Sequence, residues 1–143
     1  MKAVVLAGGL GTRLRPLTYE IPKPLIPIQN KPLLEWVVQN LSRHGVEELI
    51  LSIGYMADKI KDHFQDGSKW GVDIKYNIEE ELLGTGGAVK DIVRKFDLKE
   101  DFILLWGDNL ADYDFERMKK EHEANNAMLT MALTEREDVE SFG

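Results

Sequence analysis

Three glycines, Gly8, Gly9 and Gly11, follow an apolar run, and Arg13, Arg15 and Lys23 come soon after them. Glycine lets backbone amides approach a ligand closely, and fixed cations beyond it neutralise charge, so this order of residue types suits a polyphosphate. All five prolines of the chain (Pro16, Pro22, Pro24, Pro27 and Pro32) fall in the same stretch. Each locks φ and pushes its predecessor towards extended geometry, so a long loop here is expected to be stiff. Long ordered loops are uncommon and usually functional. A second glycine-rich stretch, Gly84-Thr85-Gly86-Gly87, follows the acidic run Glu79-Glu80-Glu81. Taken alone that run reads as a solvated turn, and its place before the glycines makes Glu79 a candidate. Gly107-Asp108-Asn109 follows the apolar run 102–106 directly.

Familiar motifs are excluded by spacing. No Gly-Lys-Ser/Thr follows the first glycines, so they are not a Walker A loop. Gly9-Leu10-Gly11-Thr12-Arg13-Leu14 puts leucine where a dinucleotide fingerprint needs its third glycine. The glycines could serve as simple turn residues, but the cations that follow them favour a phosphate loop. Asp112-Tyr113-Asp114 suggests a metal-binding Asp-x-Asp, yet Asp114 is better placed as a helix N-cap. Arg15 suits solvent as well as phosphate, and Lys31 suits an anchor for the loop. His44, His63 and His122 have no paired ligands nearby in sequence, and Trp36, Trp70 and Trp106 read as packing residues.

The elements that must position these residues alternate between strand and helix, the pattern of a layered α/β domain with a mainly parallel sheet. Strands are expected over Lys2–Ala7, Glu48–Ile53, Val72–Ile78, Phe102–Trp106 and Ala127–Leu133. Helices are expected over Leu33–His44, around Met56, Ile60 and Phe64, from the second glycine loop through Ala88, Ile92 and Phe96, and over Asp114–Asn125. In open α/β sheets ligands bind at the carboxyl ends of strands. Both glycine loops and Asp108 follow expected strands, so a parallel sheet would bring all three to one edge.

The 143 residues match one domain with a real core, at 43% hydrophobic and 30% charged. No 18-residue apolar run is present, so no membrane span is expected. Cysteine is absent, which is compatible with a reducing, cytoplasmic setting and with other compartments as well. The net charge of −7 argues against a nucleic-acid partner. Its distribution says more. Residues 1–32 carry five cations against Glu20 alone, a net +4, which leaves −11 on the remainder. Cations concentrated beside a glycine loop suit a small anionic ligand.

At this point the chain resembles a known family, the sugar-1-phosphate nucleotidylyltransferases (NDP-sugar pyrophosphorylases). The resemblance runs through Leu6-Ala7-Gly8-Gly9-Leu10-Gly11-Thr12-Arg13-Leu14-Arg15-Pro16-Leu17-Thr18, then Pro22-Lys23-Pro24-Leu25, Pro27 and Lys31-Pro32. It continues through Gly54-Tyr55, Asp66-Gly67-Ser68, Leu83-Gly84-Thr85-Gly86-Gly87 and Gly107-Asp108, so it covers essentially the whole chain. The fold it implies is a three-layer α/β/α, Rossmann-like, mostly parallel sheet. It implies that Leu6, Ala7, Gly8 and Gly9 meet base and ribose, and that Gly11, Thr12 and Arg13 bind phosphate, with Arg13 gripping the β- and γ-phosphates. Lys23 resembles the catalytic lysine between the α-phosphate and the incoming sugar phosphate. Glu79 and Gly84 fall where the family reads the base edge, and Asp108 matches the aspartate that holds Mg²⁺.

The implied reaction joins an NTP to a sugar 1-phosphate, giving NDP-sugar and pyrophosphate. Guanylyl transfer to a mannose- or heptose-type 1-phosphate is the first expectation, because Gly54-Tyr55, Asp66-Gly67-Ser68 and the stretch 79–87 resemble that branch. Uridylyl or thymidylyl transfer to glucose 1-phosphate is the alternative, towards which Asn109 leans. A non-catalytic nucleotide-binding or regulatory module using the same loop is the alternative of another class, and a pure assembly subunit a third. The family's sugar-binding glutamate–lysine pair, asparagine loop and second metal-binding aspartate have no match here. The ending Glu140-Ser141-Phe142-Gly143 resembles the middle of a family strand. The expectation is therefore one nucleotide-binding domain over 1–143, incomplete at its C-terminus, inactive or very weak alone, with an open sheet edge through which it self-associates as a homo-oligomer.

Overall fold

A computed structural model describes residues 1–81 and 83–135. Leu82 of the second glycine loop and the ending Glu140–Gly143 lie outside the described residues. Two compact units are present, Met1–Tyr113 and a second that begins at Asp114.

The first unit is built on a parallel sheet of β1 (Lys2–Leu6), β4 (Glu48–Ile53), β5 (Asp73–Ile78) and β6 (Phe102–Trp106), in the order β5-β4-β1-β6. Between β1 and β4, the short antiparallel strands β2 (Pro27–Ile28) and β3 (Lys31–Pro32) form a separate pair. The central strands β1 and β4 read as near-continuous apolar runs because helices cover both their faces. Val4 and Ile50 point to one face and pack with Ile92 of α3 (Gly84–Lys95). Ala3, Val5, Leu49 and Leu51 alternate to the other face and are buried too. On that side lies α1 (Leu33–Arg43), whose Leu34 comes close to Val5 beside Gly107. Its Leu33, Leu34, Val37, Val38 and Leu41 are buried at helical spacing, and Gly45, with φ of 75°, turns the chain just past its end. A third helix, α2 (Ala57–Phe64), buries Ile60 and Phe64.

The three-layer parallel architecture expected from the sequence is thus present. From β1 the chain steps outward to β4 and β5, then returns to the opposite side of β1 for β6. That reversal makes the carboxyl ends of β1 and β6 a topological switch point, where open α/β sheets hold ligands. Among the described residues β6 has a ladder partner on one side only, and Leu104 and Trp106 on it are exposed. It presents the open edge on which the expectation of self-association rests.

The second unit holds α4 (Phe115–Ala124), whose start is capped by the Asp114 carboxylate accepting from the Arg117 N–H at 2.9 Å, as expected. The expected strand over Ala127–Leu133 is not formed. That stretch has no regular element, and Met128, Leu129, Met131 and Leu133 are exposed. An apolar run marks a capacity to be buried, and a strand exists only where a ladder partner takes up its backbone groups.

Candidate active site at the sheet's carboxyl edge

The site starts where β1 ends. Ladder hydrogen bonds continue one step past the strands: Ala7 N–H donates to Ser52, Gly107 N–H to Leu6, and Glu79 N–H to Ile53, at 2.7, 2.9 and 2.8 Å. These bonds hold the starts of the glycine loop, the Asp108 turn and the Glu79 segment to the sheet. The convergence expected from a parallel topology is therefore present at the ends of β1, β5 and β6.

The proline-rich loop is ordered by three single 3₁₀ turns, Thr12–Leu14, Leu17–Tyr19 and Lys23–Leu25. Thr18, only 1% exposed, is its internal tie: its hydroxyl donates to the Gly11 carbonyl at 2.9 Å, and the Tyr55 hydroxyl donates to the Thr18 carbonyl at 2.9 Å. Gly11 has φ of 63°, and a Cβ there would come within 2.8 Å of Thr18 and 3.2 Å of Lys23, so the close approach demands glycine. At the far end, Lys31 donates to Gln39 at 2.7 Å and lies 3.7 Å over the Trp36 ring, the anchoring role its position suggested. Arg15 stacks over Tyr19 at 5.1 Å.

Two pairs of candidate residues are brought together. The Lys23 ammonium donates to Asp108 Oδ2 in an ion pair that joins the loop to the end of β6. Glu79 lies against Gly8: a Cβ at Gly8 would sit 3.0–3.2 Å from both carboxylate oxygens. Leu6 is the last residue of β1 and Ala7 follows it into the loop. Thr12 and Arg13 occupy the first 3₁₀ turn, exposed. Gly84 opens α3 with φ of 66°, and open space lies where Cβ atoms would stand at Gly9 and Gly84. Thr12, Arg13 and Gly84 are thus presented to solvent.

Asp108 follows β6 with one carboxylate oxygen on the Lys23 ammonium, and no cluster of three or more acidic or histidine ligands occurs among the described residues. A lone hard-oxygen donor fits Mg²⁺, which commonly takes one or two carboxylates and completes its shell with phosphate oxygens and water. His63 pairs with Glu35 at 3.2 Å and packs edge-on to Phe64, a structural role. Trp70 is buried against Phe64, and Trp36 donates to the Ile28 carbonyl at 3.0 Å. Trp106, expected as packing, is instead 48% exposed. Ser52 and Asn77 escaped sequence reasoning. Ser52 is a polar side chain in an apolar run, whereas Asn77 lies in a strand that also holds Asp73 and Lys75 and gave no local signal; they are 0% and 1% exposed.

The chain is similar to known proteins along its whole length. It is 41% identical over 143 residues to a D-glycero-alpha-D-manno-heptose 1-phosphate guanylyltransferase of Campylobacter jejuni, covering all of this chain and 62% of that protein. It is 36% identical over 155 residues to a UTP--glucose-1-phosphate uridylyltransferase of Synechocystis, of which it spans 40%. Among solved structures, HddC from Yersinia pseudotuberculosis complexed with GMP-PN superposes with a TM-score of 0.74 at 36% identity, over 85% of this chain and 53% of that one. This chain thus spans less than two thirds of the length of each. A family model described as nucleotidyl transferase matches residues 2–143, and on that match and this architecture the chain belongs to the nucleotidyl transferase family.

Proposed function

We propose that this chain is the nucleotide-binding part of a sugar-1-phosphate nucleotidylyltransferase that uses GTP and a mannose- or heptose-type 1-phosphate. The observation that carries this reading is the meeting of Lys23 with Asp108 at the switch point, beside a glycine loop that opens its backbone to the same edge. In the reaction a sugar phosphate oxygen attacks the α-phosphorus of the NTP, the bond to the β-phosphate oxygen breaks, and pyrophosphate leaves. Such phosphoryl chemistry asks the protein mainly to position two anions that repel each other and to neutralise developing charge.

Each residue then has a task. Leu6, Ala7, Gly8 and Gly9 receive base and ribose at the end of β1. Gly11 and Thr12 offer backbone to the phosphates, and Arg13 grips the β- and γ-phosphates. Lys23 stands between the α-phosphate and the incoming sugar phosphate. Asp108 would hold Mg²⁺, which when bound neutralises phosphate charge. Glu79 and Gly84 face the base edge. The similarity to a heptose 1-phosphate guanylyltransferase and to a structure holding GMP-PN supports guanine and a manno-configured sugar. Substrates of this kind suit a cytoplasmic setting.

Uridylyl transfer to glucose 1-phosphate is the second reading, supported by Asn109 after Asp108 and by the uridylyltransferase relative. Calorimetric titration with GTP, UTP, dTTP, CTP and ATP, each with Mg²⁺, separates the two. GTP is expected to bind tightest, with little pyrophosphate release from this chain when mannose-type 1-phosphate is added. Tighter binding of UTP or dTTP would move the assignment to the second reading, and absence of NTP binding would overturn both.

A further inference from the structure

One row of side chains across the sheet is out of character. The register aligns Leu6 of β1, Ser52 of β4 and Asn77 of β5. Ser52 and Asn77 are wholly buried, in strands that are otherwise apolar at buried positions. Burying a hydroxyl and a carboxamide is costly unless their polar groups are bonded. Here they are bonded in a directed series. The Lys95 ammonium of α3 donates to Asn77 Oδ1 at 3.1 Å, Asn77 Nδ2 donates to Ser52 Oγ at 3.0 Å, and the Ser52 hydroxyl donates to Glu79 Oε1 at 2.6 Å.

All three bonds point the same way, from an ammonium to a carboxylate, and bonds in such a chain polarise one another. Two apolar residues of similar shape would fill the same volume at little cost, because replacing both partners of a buried hydrogen bond is often nearly neutral. What the series does is deliver a hydrogen bond to Glu79 where it leaves the sheet. The bond to Oε1 sets the rotation of the carboxylate, and the missing side chain of Gly8 leaves the space it occupies.

We propose that Ser52, Asn77 and Lys95 are positioning residues that fix the Glu79 carboxylate beside Gly8, and that they thereby select a base with two adjacent N–H donors. This rests on the reading that Glu79 meets the base edge. Guanine offers N1–H and N2–H₂ side by side, which two carboxylate oxygens can accept together. Hypoxanthine keeps N1–H and lacks the second donor. Uracil and thymine present one N–H between two carbonyls, and those carbonyls would face the carboxylate.

The test compares GTP, ITP and UTP affinities, each with Mg²⁺, for the parent chain and for Glu79→Gln, Ser52→Ala, Lys95→Met and Lys95→Arg. Tripolyphosphate serves as a base-free probe. The parent is expected to prefer GTP over ITP by about 10-fold or more, and Ser52→Ala to shrink that preference to about 3-fold or less. Lys95→Met narrows the ratio partly and Lys95→Arg restores it, while tripolyphosphate binding stays at the parent value. Lys95 is exposed on α3, so its variants decide the matter if Ser52→Ala does not fold. If Glu79→Gln removes the preference while the Ser52 and Lys95 variants keep it, the relay is wrong and the role of Glu79 stands. If Glu79→Gln leaves the preference intact, both fall. Equal losses for every ligand, tripolyphosphate included, would mark a merely structural role and overturn the relay.

Discussion

Lys23 and Asp108, 85 residues apart in sequence, meet as opposite charges at the point where a phosphate and its counter-ion would have to be handled. Their side chains are 30% and 39% exposed, so water screens the pair and its contribution to folding is small. Exposed ion pairs of this kind are worth about 0–1 kcal/mol. A ligand that leans on Lys23 loses more than that. Lys23→Met is therefore expected to lower unfolding free energy in urea by less than about 1 kcal/mol. GTP affinity should fall by about 10-fold or more, a binding loss of at least 1.4 kcal/mol. Losses of equal size in the two measurements would make Lys23 a structural residue. Both side chains were readable as candidates from their neighbours in sequence, Lys23 among prolines and Asp108 after an apolar run. Their contact was not, because it depends on which strands lie side by side.

At the level of elements, the loop between β1 and α1 is ordered by its 3₁₀ turns, and a buried side-chain tie within it runs through Thr18. Thr18 ties Gly11 from within, and Tyr55 after β4 ties Thr18 from outside. Thr18→Val keeps the shape and removes the hydroxyl. Thermal or urea unfolding should show a loss of about 1 kcal/mol, as for one buried hydrogen bond. Phosphate binding should weaken as well, since the turn carrying Thr12 and Arg13 is then free to drift. Unchanged binding with reduced stability would mean that the loop's prolines suffice to hold its shape. The proline run announced stiffness. The threonine tie was hidden, because nothing local distinguishes a buried Thr18 from an exposed one.

Across the whole molecule, burial is concentrated in the first unit, where Leu34, Leu41, Leu49, Leu51 and Ile53 are fully enclosed, while Leu129 and Leu133 beyond α4 stand in solvent. Leu34→Ala should lower stability by about 2–5 kcal/mol, through lost transfer energy and the cavity left behind. Leu129→Ala should change it by no more than about 0.5 kcal/mol. Urea denaturation of the two variants checks this, and a large effect at Leu129 would mean that the segment after α4 packs in solution.

Residue order by itself determined the local pieces: apolar runs at β1 and β4 that a doubly covered parallel sheet buries, the apolar run of β6, the helical stripe from Leu33 to Leu41, the cap at Asp114, and a glycine loop followed by cations. These follow from side-chain size, periodicity and φ preference, which act over a few residues. Tertiary structure decided the rest. The order β5-β4-β1-β6 put Lys23 against Asp108 and strung Lys95, Asn77 and Ser52 towards Glu79. Ala127–Leu133, apolar at every position but Thr130, forms no regular element. Pairing between distant strands is settled by the burial and backbone hydrogen bonding of the whole sheet, and no window of the chain contains that information.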